Sequence, residues 1–476
     1  MLHRQMRVAF HTLGCKVNHY ETEAIREAFV SRGAVSVGEE EPADVYIINT
    51  CTVTNIADRK SRQYIRRVKR INPDSLIVVT GCYAQVEPEE VSAMPEVDIV
   101  IGNGNKAKIC EMVLERLADR ESGKQIDSRV LVKPRAELTE YEDMGMVVSG
   151  EPGMTRAYIK IQEGCDRFCA YCLIPYARGP VRSRPPADII REAAMLVDSG
   201  YHELVLTGIN TALYGTEAGF DPGDLSPSAG LAAGSVDLNS GAAPAPGLAP
   251  AASPIEILLA QLDALPGDFR VRLSSLEPTV VDKDHVEEII RYKRHCHHLH
   301  LSVQNGSDKI LRSMNRHYTR DEYLEIVRAI REYDPLYGIT TDIIVGFPGE
   351  NEEDFADTLD VVEKAAFGKV HVFRYSPRKG TAGATLPDAV PGGVKIDRAD
   401  RLEAAAARVA RQFIDSNRGT IHTVLAEEIR DGFITGYTDN YIKVYIEDAD
   451  ASRLGTFCDV ELTQMYEDGC KAVLAR

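Results

Sequence analysis

Three cysteines fall within one short stretch of the chain, at Cys165, Cys169 and Cys172, in a CxxxCxxC arrangement. Thiolates are the usual protein ligands of iron–sulfur clusters, and one loop can wrap three of them around a single cluster. Structural zinc normally takes four ligands, and this loop contains no fourth cysteine or histidine. The spacing therefore predicts a [4Fe–4S] cluster in which the protein leaves one iron open for another ligand.

A second set of three cysteines is spread through the first part of the chain. Cys15, Cys51 and Cys82 each follow a short apolar segment, in the sequences Thr-Leu-Gly-Cys, Ile-Asn-Thr-Cys and Val-Thr-Gly-Cys. If those segments are parallel strands of one sheet, their carboxyl ends share one edge, which is where α/β proteins bind ligands. Buried packing thiols are the alternative, since free cysteine is often buried. The shared position after each strand favours convergence on one site.

The other four cysteines, Cys110, Cys296, Cys458 and Cys470, show no such relation, and we interpret them as packing residues. The run His295-Cys-His-His-Leu-His300 could ligate a metal. Because it leads into a predicted strand, and histidines are common in cores and on surfaces, we interpret it as structural.

Composition limits the class of protein. A chain of 476 residues with 44% hydrophobic and 27% charged residues is typical of a soluble globular protein of about three domains. It contains no apolar run long enough to span a membrane and no signal-peptide core near its first residue, so we expect a cytoplasmic protein with no membrane partner. Ten cysteines in that reducing compartment point to metal or catalytic thiols rather than disulfides.

The net charge of −17 excludes nucleic-acid binding by a broadly basic surface, so a polyanion needs a local patch. One segment, residues 56–70, is rich in cations and predicted to be helical, with its apolar residues on one face. A solvated helical face is the plainer interpretation. The candidate RNA-binding residues on this helix are Arg59, Lys60, Arg62, Arg66 and Arg67.

Strand and helix patterns divide the chain into three parts. Residues 5–120 alternate short apolar strands with helical segments, which predicts a parallel α/β sheet, and residues 121–150 read as a linker. Residues 151–398 repeat a strand-helix order with six strands, which predicts a partial TIM-type (βα)6 barrel. Within them, 27 of the 39 residues of segment 216–254 are Gly, Ala, Pro or Ser, which predicts a disordered insertion. Residues 413–476 predict a small all-β barrel.

The CxxxCxxC motif resembles that of the radical S-adenosylmethionine (SAM) superfamily. Tyr171 holds the aromatic position before the last cysteine, and the stretch Thr341 to Glu350, TDIIVGFPGE, resembles the family's glycine-proline loop near the adenine. The resemblance implies that SAM binds the open iron and is cleaved by one electron to a 5′-deoxyadenosyl radical. Polar residues at the predicted strand ends are further candidates for contact with SAM. The cofactor-binding candidates are Tyr171, Gly208, Asn210, Glu277, Ser302, Gln304, Asp342, Gly346 and Pro348.

The whole chain, apart from 121–150 and 216–254, closely resembles the methylthiotransferases. The most specific motifs are HTLGCKVN at residues 11–18, NTCTVT at 49–54 and KIQEGC at 160–165. They are most similar to the branch that adds a methylthio group to carbon 2 of N6-threonylcarbamoyladenosine at position 37 of tRNA. Residues 436–444, GYTDNYIKV, resemble the RNA-binding TRAM domain. This last part carries six Lys or Arg against twelve Asp or Glu, so any RNA contact is expected to use shape and stacking, for which Tyr437, Tyr441 and Phe433 are candidates. Packing within a strand is the plainer interpretation of each of these aromatics.

The resemblance implies two [4Fe–4S] clusters and SAM as cofactors, with all six motif cysteines as catalytic ligands: Cys165, Cys169 and Cys172 for the radical-generating cluster, and Cys15, Cys51 and Cys82 for a cluster that holds the transferred sulfur. It also implies a tRNA anticodon loop as substrate and an electron donor such as flavodoxin or ferredoxin. We expect a monomer. Three alternatives stay open: the branch acting on isopentenyladenosine, the branch acting on a ribosomal protein, and a non-catalytic RNA-binding iron–sulfur redox protein.

Overall fold

The computed structural model describes residues 5–123, 129–146, 155–220, 253–278, 283–447 and 450–475. Along these residues a parallel sheet with helices on its faces is followed by an open strand-helix barrel and then by a closed all-β barrel. The predicted α/β class and the order of the three parts are confirmed. No helix among the described residues combines the length and the apolar character needed to cross a lipid bilayer.

The N-terminal sheet has six parallel strands in the order β2-β1-β3-β4-β5-β6. The two central strands, β3 and β4, are buried along their whole length, as their continuous apolar sequences require. Helices α1 and α5 cover one face of the sheet, and α2 and α3 cover the other. The strands are β1 Arg7–Thr12, β2 Val35–Val37, β3 Val45–Thr50, β4 Leu76–Gly81, β5 Ile99–Ile101 and β6 Arg129–Leu131; the helices are α1 Lys16–Val30, α2 Asn55–Ile71, α3 Cys82–Val86, α4 Pro88–Ser92 and α5 Ile109–Glu121.

Two strands of this sheet were not predicted from the sequence. Both β2 and β6 are three-residue edge strands whose side chains are exposed or half-buried, so they lack the apolar pattern that marks the inner strands. Strand β6 lies inside segment 121–150, which the sequence presents as an irregular linker; there the structure differs from the prediction. Of the predicted insertion 216–254, residues 221–252 lie outside the described residues. At its edges, Phe220 packs against Tyr214 and Pro254 begins a helix.

The central part is an open barrel of parallel strands in sequence order. Ser274 interrupts the strand between β11 and β12. As a result β11 pairs with β10, whereas β12 pairs with β13. Its strands are β7 Arg156–Lys160, β10 Glu203–Thr207, β11 Arg270–Leu273, β12 Ser275–Leu276, β13 His298–Leu301, β14 Gly338–Val345 and β15 Lys369–Arg374, with a small antiparallel pair, β8 Gln162–Glu163 and β9 Arg182–Ser183. Its helices are α6 Ile174–Arg178, α7 Pro186–Asp198, α8 Pro254–Ala264, α9 Lys283–Ile289, α10 Asp308–Ser313, α11 Arg320–Tyr333, α12 Glu352–Ala365 and α13 Gly392–Ser416.

The C-terminal part is a closed five-stranded barrel in the order β16-β17-β18-β20-β19. Four of its strands match predicted segments, and the fifth, β20, closes the barrel by pairing parallel to β18 and antiparallel to β19. Closure removes the exposed strand edges that a small open sheet would present. The strands are β16 Ile421–Arg430, β17 Phe433–Thr438, β18 Lys443–Ile446, β19 Phe457–Tyr466 and β20 Gly469–Leu474.

The small barrel docks where the strands of the central barrel begin. Glu203, at the start of β10, is fully buried and pairs with Arg156 at 3.3 Å, Arg270 at 2.6 Å and Arg272 at 3.0 Å. Arg270 and Arg272 donate their other N–H groups to backbone carbonyls of the small barrel, those of Thr423, Tyr437, Thr438 and Asp439. One buried carboxylate therefore orients the arginines that hold the two barrels together.

This docking uses two of the aromatic residues expected to stack on RNA. Tyr437 and Tyr441 stack on each other with ring centroids 4.9 Å apart, and Arg156 and Arg272 lie over their faces. Both rings therefore belong to the interface with the central barrel, where the sequence suggested RNA platforms. Phe433 packs separately, against Tyr445 and Tyr466.

Replacing Glu203 tests the importance of this junction. The change Glu203→Gln leaves Arg270 and Arg272 without their buried counter-charge and Arg156 with Glu427 alone, and we expect a loss of about 3–5 kcal/mol in folding stability because breaking a buried ion pair strands its partners. Thermal unfolding followed by circular dichroism measures the effect. Glu288→Gln, which breaks the exposed pair with Arg291, is the matched control and should cost less than about 1 kcal/mol. Equal shifts for both variants would contradict the proposed role of Glu203.

Candidate active site between two cysteine clusters

The structure brings the three N-terminal cysteines to one edge of the sheet. Strands β1, β3 and β4 are neighbours, and their register places Thr12 beside Asn49 and Asn49 beside Thr80, so the strands end together. Cys15 directly precedes α1, Cys51 follows β3, and Cys82 begins α3. This is the convergence that their shared position after each strand predicts.

The packing around these thiols is close. A Cβ atom added to Gly14 would lie 3.2 Å from the Cys51 sulfur, so only glycine leaves room in front of that thiol. Burial raises the pKa of Cys51 to about 12, and the neighbouring Cys82 and Cys15 thiols add to the shift. The amide of Asn103 points at the Cys82 sulfur from 3.9 Å. Burial also raises the pKa of Cys82, and buried thiols such as Cys51 and Cys82 that resist ionisation on their own suit a cation that would bind them as thiolates.

The other three cysteines lie on one loop after β8. The Cys165 N–H donates to the Gly179 carbonyl at 3.0 Å, and the Cys172 N–H donates to the Cys169 carbonyl at 2.9 Å, which folds the loop on itself. Burial raises the pKa of Cys165 to about 12, with Cys169 a further contributor. Cys169 is buried and Cys165 and Cys172 are half-buried, and this loop of the described residues contains no fourth cysteine. The donor set fits a three-ligand iron–sulfur cluster.

A cavity of about 220 Å³ lies between the two sets of cysteines. One wall comes from the residues after Cys51, namely Thr52, Val53 and Thr54. The opposite wall includes Tyr171 and Cys172 of the cysteine loop. The sheet edge therefore faces the barrel, and one small substrate group in this cavity would lie within reach of both sets. The rest of the lining is Leu173, Ile174, Gln304, Asp342, Ile344, Phe373, Arg374, Tyr375 and Ser376.

The residues predicted to contact SAM fall into three groups. Tyr171, Gln304 and Asp342 line the cavity, and the Ser302 hydroxyl donates to the Asp342 carboxylate at 3.2 Å. Asn210 donates to Glu277 at 2.9 Å, beside the cysteine loop. Gly208, Gly346 and Pro348 lie after their strands but outside the cavity lining.

Two arginines that the sequence did not single out lie at the site. Arg316 is buried, pairs with Glu277 at 3.0 Å and donates to the Cys169 sulfur at 3.4 Å, so it links the Asn210–Glu277 pair to the cysteine loop. Arg378 crosses from the central barrel to the N-terminal sheet, where it donates to Thr52 and Asp58, both at 2.6 Å. Neither arginine belongs to a sequence motif, so only its contacts in the folded structure identify it.

A buried ion network joins the segment after the cysteine loop to the N-terminal sheet. Arg178, in α6, contacts Glu21 of α1 at 2.8 Å and donates to the Asn18 side chain at 2.6 Å. Asn18 in turn donates to the carbonyls of Leu13 and Thr50, next to Cys15 and Cys51. The segment that follows Cys172 thus orients the loops that carry Cys15 and Cys51. We call Glu21, Glu163, Lys106, Lys160, Arg178 and Arg182 the Glu21 network; all six are almost completely buried.

The Glu21 network holds four cations and two carboxylates. Although burial opposes ionisation, Arg178, Lys106 and Lys160 hold the pKa of Glu21 well below its usual value. The remaining surplus of positive charge is costly in a dry interior unless an anion lies nearby. An iron–sulfur cluster bound by three thiolates carries negative charge, and Cys82 and Cys15 lie close enough to influence the pKa of Arg178. The charge of the site fits the N-terminal cysteines as cluster ligands.

The basic helix α2 begins four residues after Cys51. Arg59, Lys60 and Arg66 are exposed, and no ion pair of theirs occurs among the described residues. Arg62 is half-buried and bonds to Tyr83 and Glu90, while Arg67 pairs with Glu40. A groove of about 560 Å³ runs along the helix to His11 and Leu13. Arg59, Lys60 and Arg66, three of the five predicted RNA-binding residues, are therefore exposed near the sheet edge that carries the N-terminal cysteines.

Comparison with known proteins places this geometry in a family. The uncharacterised protein family UPF0004 matches residues 7–102, and the radical SAM superfamily matches residues 159–362. The threonylcarbamoyladenosine tRNA methylthiotransferase of Bacillus subtilis is 39% identical over 92% of this chain and 89% of its own. The enzyme of the same name from Aquifex aeolicus is 36% identical over 92% and 96%. The chain belongs to the radical SAM tRNA methylthiotransferases.

Other relatives extend this assignment. A tRNA-2-methylthio-N6-dimethylallyladenosine synthase of Carboxydothermus hydrogenoformans is 36% identical over 87% of each chain. Among solved structures, the radical SAM methyltransferase TsrM of Kitasatospora setae, with cobalamin and a [4Fe–4S] cluster bound, has a TM-score of 0.53 at 15% identity, over 80% of this chain and 77% of that one. That likeness shows the shared fold. Membership of the methylthiotransferases carries with it SAM and two [4Fe–4S] clusters as cofactors.

Removing Arg178 tests the link between the two cysteine sets. In the methylthiotransferase Arg178→Met, Glu21 loses a partner and Asn18 loses its anchor, so we expect about 3–5 kcal/mol lower stability. We also expect the N-terminal cysteines to retain little iron, so that bound iron falls to about half of the wild-type amount. Iron analysis and visible absorption of the reconstituted protein measure this. Arg191→Met, at an exposed pair with Asp188, is the control. Full iron content in Arg178→Met would refute the link.

Proposed function

We propose that this protein adds a methylthio group to carbon 2 of N6-threonylcarbamoyladenosine at position 37 of tRNA. The supporting observation is that enzymes named for this substrate are 39%, 36% and 35% identical over 92%, 92% and 98% of this chain. Relatives named for dimethylallyladenosine reach 36% and 32% over 87% and 95%. The second candidate is therefore methylthiolation of dimethylallyladenosine, also called isopentenyladenosine.

In this proposal Cys165, Cys169 and Cys172 hold the radical-generating cluster, and Cys15, Cys51 and Cys82 hold the sulfur-carrying cluster. Bound together, the clusters and SAM supply a 5′-deoxyadenosyl radical and a methylated sulfur, chemistry that no side chain of the chain can supply. SAM contacts are assigned to Tyr171, Gly208, Asn210, Glu277, Ser302, Gln304, Asp342, Gly346 and Pro348. Arg316 orients Glu277 and the Cys169 sulfur for this purpose.

The protein's own residues position the target base and exclude water. The cavity between the cysteine sets, of about 220 Å³, is the place for the target base, and Val53 and Tyr171 both line it. Arg378 fixes Thr52 against the barrel, which keeps the wall next to Cys51 at a constant distance from the cysteine loop. Because the carbon to be modified is unreactive toward acids and bases, holding it between the two clusters is the main task of these residues.

The RNA contacts belong, in this proposal, to α2 and the surface beside it. Arg59, Lys60 and Arg66 supply exposed cations, with Arg62 and Arg67 at the rim of the same helix. Val53 and Ile56 are 57% and 62% exposed beside the cavity, where unstacked bases of a single-stranded loop could cover them. The small barrel is the TRAM-like part. We further propose a cytoplasmic monomer that receives electrons from a flavodoxin or ferredoxin.

Nucleoside analysis tests the substrate. Mass spectrometry of tRNA digests should show 2-methylthio-N6-threonylcarbamoyladenosine in cells expressing the protein and none in cells lacking the gene. The variants Cys165→Ala and Cys51→Ala should each abolish the product, since each removes a ligand of a different cluster. A change in the dimethylallyl derivative instead would support the second candidate. Failure of the reduced, reconstituted protein to form 5′-deoxyadenosine from SAM would favour a non-catalytic redox protein.

Charge removal on α2 tests the RNA surface. The triple change Arg59→Gln, Lys60→Gln and Arg66→Gln should weaken binding to an anticodon stem-loop uniformly across sequences. Because each lost phosphate contact releases about one counterion fewer, the slope of log affinity against log salt should fall by up to about three. Fluorescence anisotropy at several salt concentrations measures both quantities. The control removes three exposed cations elsewhere, with Lys293→Gln, Arg328→Gln and Lys364→Gln. If the control weakens binding as much, α2 is not the docking surface.

A further inference from the structure

Three side chains with metal-ligating or hydrogen-bonding atoms meet inside the central barrel. His300 of β13, Asp342 of β14 and His371 of β15 point to the same side of adjacent strands, and their polar atoms all lie within 4.8 Å of one another. His300 Nε2 is 3.1 Å from the Asp342 carboxylate, and its Nδ1 is 2.9 Å from the Thr340 hydroxyl. The register pairs Asp342 directly with His371. The histidine run at residues 295–300, which its sequence context predicts to be structural, thus contributes His300 to a cluster with a residue far along the chain.

This polar cluster belongs to the cavity between the cysteine sets. Asp342 lines that cavity, and it connects inward to His300 and His371. Next to them on β13, His298 bonds to the same Thr340 hydroxyl at 2.9 Å, and its other ring nitrogen has no partner among the described residues. The interior beyond the cavity is therefore lined by hydrogen-bonding groups, where an apolar substituent would leave them unsatisfied.

Cations face this cluster from the neighbouring elements. Lys16 of α1 is half-buried and makes no ion pair among the described residues, yet its charge influences both His298 and His371. Arg272 of β11 acts on His298 from the other side. Burial and these cations lower the pKa of both histidines, so near neutral pH their rings each offer one donor and one acceptor. The rings of His298 and His371 thus act as neutral hydrogen-bonding groups at this end of the cavity.

We propose that His300, Asp342 and His371 form the pocket for the N6 substituent of the target adenosine and select threonylcarbamoyl over dimethylallyl. This inference rests on the proposed function and deepens it. A threonylcarbamoyl group carries a carbonyl, N–H groups, a hydroxyl and a carboxylate. His300 orients Asp342, which lies at the boundary with the SAM contacts and accepts from these donors, and the His371 ring bonds an oxygen of the group. A dimethylallyl group has none of these atoms.

Discrimination of this kind is strong because it penalises the wrong substrate. A site built to hydrogen-bond a substrate group rejects an analogue lacking it by up to about 10⁴–10⁵-fold, since the buried partners are left unpaired. An apolar pocket discriminates far less, about 10–200-fold per methylene. The polarity of this pocket thus distinguishes the two substrates named by the chain's relatives.

The test uses the reconstituted enzyme and two anticodon stem-loops that differ only at position 37, one with N6-threonylcarbamoyladenosine and one with N6-dimethylallyladenosine. The change His371→Leu should lower kcat/KM for the first RNA at least tenfold, mainly through KM. It should leave the second RNA unaffected or improved, because the pocket becomes less polar. Fluorescence anisotropy should show the same loss in binding of the first RNA. His317→Leu, an exposed histidine outside the pocket, is the matched control.

A second variant keeps the shape of the ring. His371→Phe retains a ring of similar size without hydrogen-bonding atoms, so it should reduce the wild-type preference for the threonylcarbamoyl RNA over the dimethylallyl RNA at least tenfold. That loss supports the pocket even if His371→Leu fails to fold. An unchanged preference in His371→Phe overturns it.

The remaining outcomes separate the two claims. If the wild-type enzyme modifies threonylcarbamoyl RNA but His371→Leu weakens both RNAs equally, the pocket assignment is wrong and the proposed function stands. If the wild-type enzyme modifies only the dimethylallyl RNA, both are wrong. If Zn²⁺ or Mn²⁺ binds the wild-type protein in equilibrium dialysis and binding is lost in His371→Leu, the three side chains form a metal site and the pocket assignment is overturned.

Discussion

The buried contact between Glu21 and Arg178 determines how the two halves of the active site face each other. Glu21 lies on the helix that begins after Cys15, and Arg178 lies on the helix that follows Cys172. With both side chains almost completely excluded from solvent, the pair has little freedom to re-form in another geometry. Lys106 and Lys160 contact the same carboxylate from the N-terminal sheet and from β7. One acidic residue therefore fixes the sheet, the barrel and the cysteine loop together.

A rigid junction between the sheet and the barrel matters because, in the proposed chemistry, both clusters act on one carbon atom of the substrate. Arg378 makes a second bridge on the opposite side of the cavity, through Thr52 and Asp58. Between these two bridges the cavity wall next to Cys51 cannot move away from the cysteine loop without breaking buried ion pairs, which costs several kcal/mol each. The distance between the sulfur-carrying and radical-generating sites is thus set by the fold before any substrate binds, which is the condition for efficient transfer between them.

Much of this arrangement could be read from the sequence, for a physical reason. Strands end where apolar segments end, so three cysteines placed after three strands had to meet at one edge of a parallel sheet. The Glu21–Arg178 pair could not be found in this way, because 157 positions separate its members and buried charges follow no local pattern. The short edge strands β2 and β6 were missed since edge positions carry no apolar signature. Tyr437 and Tyr441 look like exposed platforms in sequence, and only docking of the small barrel explains their burial.

Charge is distributed so that each part of the protein has a separate task. The small barrel is acidic, and two arginines of the central barrel, Arg270 and Arg272, are oriented by Glu203 and bind its backbone carbonyls, so its role in the fold is to close the end of the central barrel. The buried cations of the Glu21 network lie near the N-terminal cysteines, since Cys82 and Cys15 raise the pKa of Arg178. The exposed, unpaired cations of α2 lie beside the cavity mouth. In a chain with a net charge of −17, these exposed cations make α2 a favourable approach for a polyanion, and an RNA loop bound there, as proposed, would lie beside the cavity.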